Sequence, residues 1–218
     1  MIPAILWDLD GTLVDSEPVH ELAFDAAIKE LGLTLPSGFH DELLGSSGQD
    51  VHAKLIDATE LQLGFEDWRA LKMRHFAAFH ARITPLDGIP ELLRDLVARA
   101  IPMAVVSNST RAEVDLSLKA TGISSSLGFT ISRSDVSGSK PAPDGYLLAA
   151  SRLNQRPQNC LVIEDSSTGV AAGLAAGMQV IFHPQSPCLH PPQGAYYLPP
   201  SVDLRPLLET FLTSGELS

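Results

Sequence analysis

The sequence predicts an α/β fold: a doubly wound parallel sheet with a small helical domain inserted near its start. Three observations predict it. In the second half of the chain, short apolar runs alternate with stretches of helical periodicity, the pattern of parallel strands joined by crossover helices. Several of those runs end in polar residues: Asp8 and Asp10, Ser107 and Asn108, Glu164 and Asp165. Between the first apolar run and the second lies a long stretch that is helical throughout, so the alternation is interrupted once and then resumes.

Taken in order, residues 2–7 are apolar and end at Asp8, as a buried strand does, and Asp10-Gly11-Thr12 signals a turn. From Val19 the apolar positions are Leu22, Ala23, Ala26, Ala27 and Leu31, a helical spacing that Gly32 stops. Helical pieces over 50–58 and 67–80 follow, separated by turns containing glycine and serine. After Thr84-Pro85 the pattern changes to a helix over 90–100, a strand over 103–107, a helix over 111–121 closed by Gly122, and a short strand over 129–131. Asp144 is read as the N-cap of a helix reaching Leu153. A strand over 161–163 ends at Glu164 and Asp165, a helix over 167–176 is capped by Gly177, and 179–182 is the next strand. The Pro- and Gly-rich stretch 184–200 is a loop or an extended cover over a sheet edge. A last helix over 204–212 carries Pro206 in its first turn. Gly169, Gly173 and Gly177 are spaced four apart, which in a soluble helix predicts close packing on the sheet. The expected organisation is an α/β core of residues 1–15 and 86–218 and a helical cap of residues 16–85.

Composition sets the broad class. A chain of 218 residues that is 44% hydrophobic and 19% charged buries a real core and is not disordered. A formal net charge of −11 argues against a nucleic-acid surface and against an anionic membrane. The start, MIPAILWDLDGT, has neither the basic nor the long apolar region of a signal peptide, and no apolar run approaches transmembrane length. Cys160 and Cys188 make no disulfide framework, and Cys160, within CLVIE, reads as a small buried thiol. A cytoplasmic protein is expected, and no obligate oligomer is signalled, so a monomer is expected.

The chemistry sits at the strand ends, where α/β sheets bind ligands. Singly, each polar cluster has a structural account: Asp10-Gly11 as a turn, Ser107 and Asn108 as caps, Lys140 as a solvated loop cation, Glu164-Asp165 as first-turn acids. Together they ask for more. Carboxylates converging at strand ends repel one another unless a cation sits among them, and magnesium prefers such oxygen ligands. One lysine with small hydroxyl and amide donors suits a phosphoryl group.

The segments WDLDGTLVDSE, VVSNST, SKPAPD and EDSSTGVAAGLAAGM, in this order, resemble the four motifs of the haloacid dehalogenase superfamily, most closely its small-cap group of sugar phosphatases and β-phosphoglucomutases. The resemblance implies Asp8 as nucleophile forming an aspartyl-phosphate, and Asp10 as the acid that protonates the leaving oxygen and then activates water. It implies Mg2+ held by Asp8, the main-chain carbonyl of Asp10 and Asp165, with Glu164 behind them or as an extra ligand. Ser107 and the Asn108 backbone would bind phosphoryl oxygens, Lys140 would pair with phosphate and Asp8, and Thr12 would support the nucleophile loop. The acid at position 10 points to phosphoryl transfer rather than halide displacement. Serine at position 139, where glycine is more usual, is the one departure in the lysine loop.

Substrate choice is assigned to the cap. Glu17 and His20 lie three apart at the start of its first helix, and His20 is either a substrate contact or an ordinary helix histidine. Gly45 and Ser46 belong to a loop resembling the one that reads substrate, and Gly48 stands where phosphoglucomutases carry an arginine. A mutase needs that charge for a second phosphate, so hydrolysis of a small phosphomonoester, a sugar or polyol phosphate, is preferred. A mutase and a non-catalytic phosphosugar-binding protein are the alternatives. The cap is expected to close on the core about hinges near 14–16 and 84–88.

Overall fold

Residues 3–43, 48–186, 192–200 and 202–217 are described by the computed structural model. In chain order the elements are β1 (Ala4–Trp7), β2 (Val14–Asp15), α1 (Glu17–Glu30), α2 (Phe39–Leu43), α3 (Gly48–Ala58), α4 (Phe65–Phe79), β3 (Thr84–Pro85), α5 (Ile89–Ala98), β4 (Met103–Val106), α6 (Arg111–Thr121), β5 (Thr130–Ile131), α7 (Asp144–Arg152), β6 (Cys160–Glu164), α8 (Ser167–Ala175), β7 (Gln179–Phe182), β8 (Tyr196–Tyr197) and α9 (Arg205–Ser214). Among the described residues no helix is long and apolar enough to cross a membrane.

The main sheet has the order β5-β4-β1-β6-β7-β8, and every neighbouring pair is parallel. Parallel strands of this kind are covered on both faces, which is why β1, β4 and β6 are buried at every position. On one face Leu6, Val106, Val162 and Val180 pack with Tyr146, Ala149 and Val170 from α7 and α8. Full burial of a leucine such as Leu6 is worth about 1.5–3 kcal/mol. From β1 the chain continues to β4 and β5 on one side and returns to β6 and β7 on the other. The strand order therefore reverses at β1, and this switch point is where such sheets open a crevice at their carboxyl ends.

The chain divides into two compact units, Met1–Ser16 with Ile83–Ser218, and Glu17–Arg82. The second unit is helical. Phe24, Ala27, Ile28, Leu55, Leu61, Trp68 and Leu71 form its core, with Phe24 edge-on to Trp68 at 5.6 Å. In the first unit, β2 and β3 pair antiparallel, Val14 with Pro85 and Asp15 with Thr84.

Several local readings are corrected. Asp144 is the first residue of α7 rather than its N-cap, which is Pro143; the Asp144 carboxylate instead accepts the Gly138 N–H at 3.0 Å and closes the lysine loop. The cap of α6 is neither Ser107 nor Asn108 but Thr110, whose hydroxyl and Glu113 form a reciprocal capping box. Of the evenly spaced glycines, Gly173 does pack on the sheet, where a Cβ would lie 2.8 Å from Val180, but Gly177 has φ of +73° and nothing near it, so it serves the helix exit alone. The stretch 184–200 is more than cover, because Tyr196–Tyr197 adds an edge strand beside β7. A short helix at Phe39–Leu43 had no signal in the sequence.

Candidate active site

The loop after β1 begins at Asp8, whose N–H donates to Ile163 O at 3.0 Å and so ties the two central strands together. The turn after it is held by main chain: Leu13 N–H and Val14 N–H both donate to Leu9 O, and Gly11 N–H donates to Val14 O. Gln185 adds a side-chain bond to Gly11 O at 2.8 Å. Thr12 is buried, its hydroxyl has no hydrogen-bond partner among the described residues, and the hydrogen bonds that hold the loop come from the backbone and Gln185. Gly11 has φ of +79°, and a Cβ there would stand 2.0 Å from Asp165 Oδ2, so both conformation and space demand glycine.

Ligand oxygens of Asp8, Glu164 and Asp165 lie within 4.8 Å of one another. Lys140 holds this buried cluster together. Its Nζ donates to Asp8 Oδ1 at 2.6 Å, to Glu164 Oε1 at 2.5 Å and to Val106 O at 2.7 Å, which uses all of its N–H groups. The Lys140-Pro141 peptide is cis. Asn108 fixes the lysine from behind: its Oδ1 accepts the Lys140 N–H at 2.9 Å, and its Nδ2 donates to Lys140 O at 3.1 Å. The Asn108 side chain is thus committed, and what it can offer a ligand is its backbone N–H.

Glu164 is fully buried and is the last residue of β6 rather than a residue beyond it. Oε1 accepts from Lys140 and from the Tyr146 hydroxyl at 2.7 Å, and Oε2 accepts from the Ser166 hydroxyl at 3.0 Å. A Cβ at Gly169 would fall 1.8 Å from Glu164 Oε1, so this glycine makes room for the acid.

Asp10 stands apart from the cluster and is held by hydroxyls. Ser16 donates to Oδ1 at 2.6 Å, while Ser109 and Ser107 donate to Oδ2 at 2.7 and 3.3 Å. Ser107 is fixed in turn by accepting Ser109 N–H at 2.9 Å. Neither Ser16, Ser109 nor Tyr146 was singled out from the sequence. Ser109 lies in VVSNST and Tyr146 three residues after SKPAP, so proximity to a motif was the only available signal.

The electrostatics follow from burial and crowding. Burial first, and then the charge of Glu164, hold the Asp8 carboxyl well above the usual carboxylate range against the pull of Lys140. The same causes push Asp165 up to about 7. Burial works against the Lys140 charge, but Asp8 and Glu164 outweigh it and hold the ammonium above the usual lysine range. An all-oxygen set of crowded acids fits a hard divalent cation such as Mg2+, which would relieve this repulsion.

Of the residues expected to meet substrate, Glu17 is exposed at the first position of α1 and His20 stacks on Phe76 with ring centroids 4.6 Å apart, both within the helical unit. Gly45 and Ser46 lie outside the described residues.

The model of the haloacid dehalogenase-like hydrolase family matches residues 5–183. The chain belongs to that family. This hydrolase is 34% identical to hexitol phosphatase A of Escherichia coli over 81% of its own chain and 80% of that protein. It is 32% identical to a bifunctional riboflavin kinase/FMN phosphatase of Arabidopsis thaliana over 84% of its chain, and it spans about half that protein's length, 48%. Its fold superposes on the crystal structure of CbbY from Rhodobacter sphaeroides in complex with phosphate with a TM-score of 0.80, at 26% identity over 91% of this chain and 94% of that one. The hydrolase is an enzyme, and its named relatives include phosphatases.

Proposed function

We propose that the enzyme is a magnesium-dependent phosphatase that hydrolyses a small phosphomonoester, a sugar or polyol phosphate, through an aspartyl-phosphate. One observation carries the reading: Asp8 is a buried carboxylate paired with Lys140 at the switch point of the sheet, with a second carboxylate, Asp10, poised nearby on serine hydroxyls. An oxygen of Asp8 attacks phosphorus, the P–O bond to the alcohol breaks, and Asp10 gives its proton to the departing oxygen. Asp10 then takes a proton from water, which attacks the aspartyl-phosphate, releases inorganic phosphate and restores Asp8. Ser107 and the Asn108 N–H receive the phosphoryl oxygens, and Lys140 turns one of its three committed donors to them. Asp8, Asp165 and the Asp10 carbonyl would hold Mg2+, which supplies positive charge where a dianion meets a carboxylate. Both oxygens of Glu164 are already occupied, so that acid serves Lys140 rather than the ion.

The helical unit supports hydrolysis over mutase action. Arg74 is bound by both oxygens of Glu30, Arg69 pairs with Glu66, and Arg82 lies over the Phe79 ring. Among the described residues, each of the three arginines of the helical unit thus already has a partner within that unit.

The test is phosphate release from a panel of sugar and polyol phosphates, with magnesium and with chelator, using Asp8→Asn as control. β-Glucose 1-phosphate is also followed for conversion to the 6-phosphate. Magnesium-dependent release that vanishes in the control is expected. Isomer formation without net phosphate release would make the enzyme a mutase, and ligand binding without turnover a sensor.

A further inference from the structure

Tyr146 has a job the reaction scheme leaves unassigned. It lies in the first turn of α7, and that turn seats against β4 because position 145 is glycine: a Cβ there would stand 2.7 Å from Val106. The ring is completely buried, where phenylalanine would fill the same space, yet it carries a hydroxyl that ends on Glu164 Oε1 at 2.7 Å. The same oxygen bears Lys140, and the ammonium lies 5.0 Å from the Tyr146 ring centroid. Lys140 divides its donors among Asp8, Glu164 and Val106 O, so anything that draws it towards Glu164 draws it from Asp8.

We propose that the Tyr146 hydroxyl is a positioning group for Lys140: by sharing Oε1 of Glu164 it fixes where the ammonium stands between Glu164 and Asp8. Glu164 is sealed from solvent, so a lost phenol donor cannot be replaced by bulk water. The oxygen left short then claims more of Lys140, and Asp8 with any phosphoryl group beside it receives less. The proposal rests on the phosphatase reading for its kinetic consequence but not for its geometry.

The test is Tyr146→Phe, which keeps the ring and removes one oxygen. Two readouts are taken: turnover of the best monoester from the panel, and the nitrogen-edited NMR signal of the Lys140 ammonium in metal-free protein, assigned by its absence in Lys140→Arg. The expected result is a displaced or broadened Lys140 signal, a kcat lower by about 10-fold and an unchanged KM. An unmoved signal overturns the proposal whatever turnover does, since a purely packing role would lower the melting temperature and leave that signal alone. A moved signal with unchanged kcat overturns it equally. If the wild-type enzyme cleaves no monoester, the phosphatase reading fails and the NMR arm alone decides. Should Tyr146→Phe not fold, 3-fluorotyrosine at this position keeps the hydroxyl while altering its donor strength, and an unmoved Lys140 signal there overturns the proposal too.

Discussion

Asp8, Glu164, Asp165 and Lys140 make one electrostatic object, and single changes in it should be read that way. Asp8→Asn is expected to abolish turnover with the fold intact, since the amide keeps the shape but is no nucleophile; circular dichroism with phosphate release checks both halves. Lys140→Met is expected to cost stability as well as activity. It leaves Asp8 and Glu164 buried without their cation, a loss of about 3–5 kcal/mol measurable by denaturant unfolding. The pH dependence has an unusual sign. Asp165 titrates near 7 when folded against 3.8 as its ordinary value, so between these the folded state holds a proton the unfolded state has released. The stability from this group is complete below its ordinary value and is lost as pH rises through about 7. Asp8 is shifted in the same direction. In chelator, melting should therefore fall between pH 5.5 and 7.5, Mg2+ should restore it mainly at the higher pH, and Asp165→Asn should flatten the difference. Calorimetry at these two pH values, with and without Mg2+, reads all three; equal restoration by Mg2+ at both would count against the metal assignment.

At the scale of elements, the site is a set of strand ends held in register by small residues. Gly173 lets α8 approach β6 and β7, because a Cβ there would meet Val180 at 2.8 Å and Val162 at 3.3 Å. Gly173→Ala should destabilise by about 1–3 kcal/mol through overpacking, seen as a lower midpoint in denaturant with Mg2+ affinity unchanged. Gly169→Ala differs although it lies on the same helix: its Cβ would strike Glu164, so metal affinity and turnover should fall with stability. Isothermal titration with Mg2+ separates the two glycines.

Across the whole molecule, every residue proposed for metal and phosphoryl chemistry lies in the unit of Met1–Ser16 with Ile83–Ser218, while Glu17 and His20 lie in the helical unit. His20→Ala should therefore leave the rise in melting temperature on adding Mg2+ as in wild type. A changed Mg2+ effect would place His20 in the metal chemistry.

The alternation of apolar runs with helical periods was enough, by itself, for the α/β class, because strands buried on both faces must be apolar throughout and their crossovers must show helical spacing. Asp8, Asp10, Lys140, Glu164 and Asp165 were legible too, since each stands in a motif whose residue types suit one chemistry. Tertiary structure decided what those side chains touch. The hydroxyls on Asp10 come from Ser16 in the same loop and from Ser107 and Ser109, remote in sequence and brought beside it because β4 pairs with β1. The Asn108 side chain, which the sequence offers as a helix cap, clamps the Lys140 backbone instead. Asp144, read as a cap, is spent on Gly138. A sequence states which donors and acceptors exist, but hydrogen bonds are short and directional, and only the folded chain determines which of them come within reach.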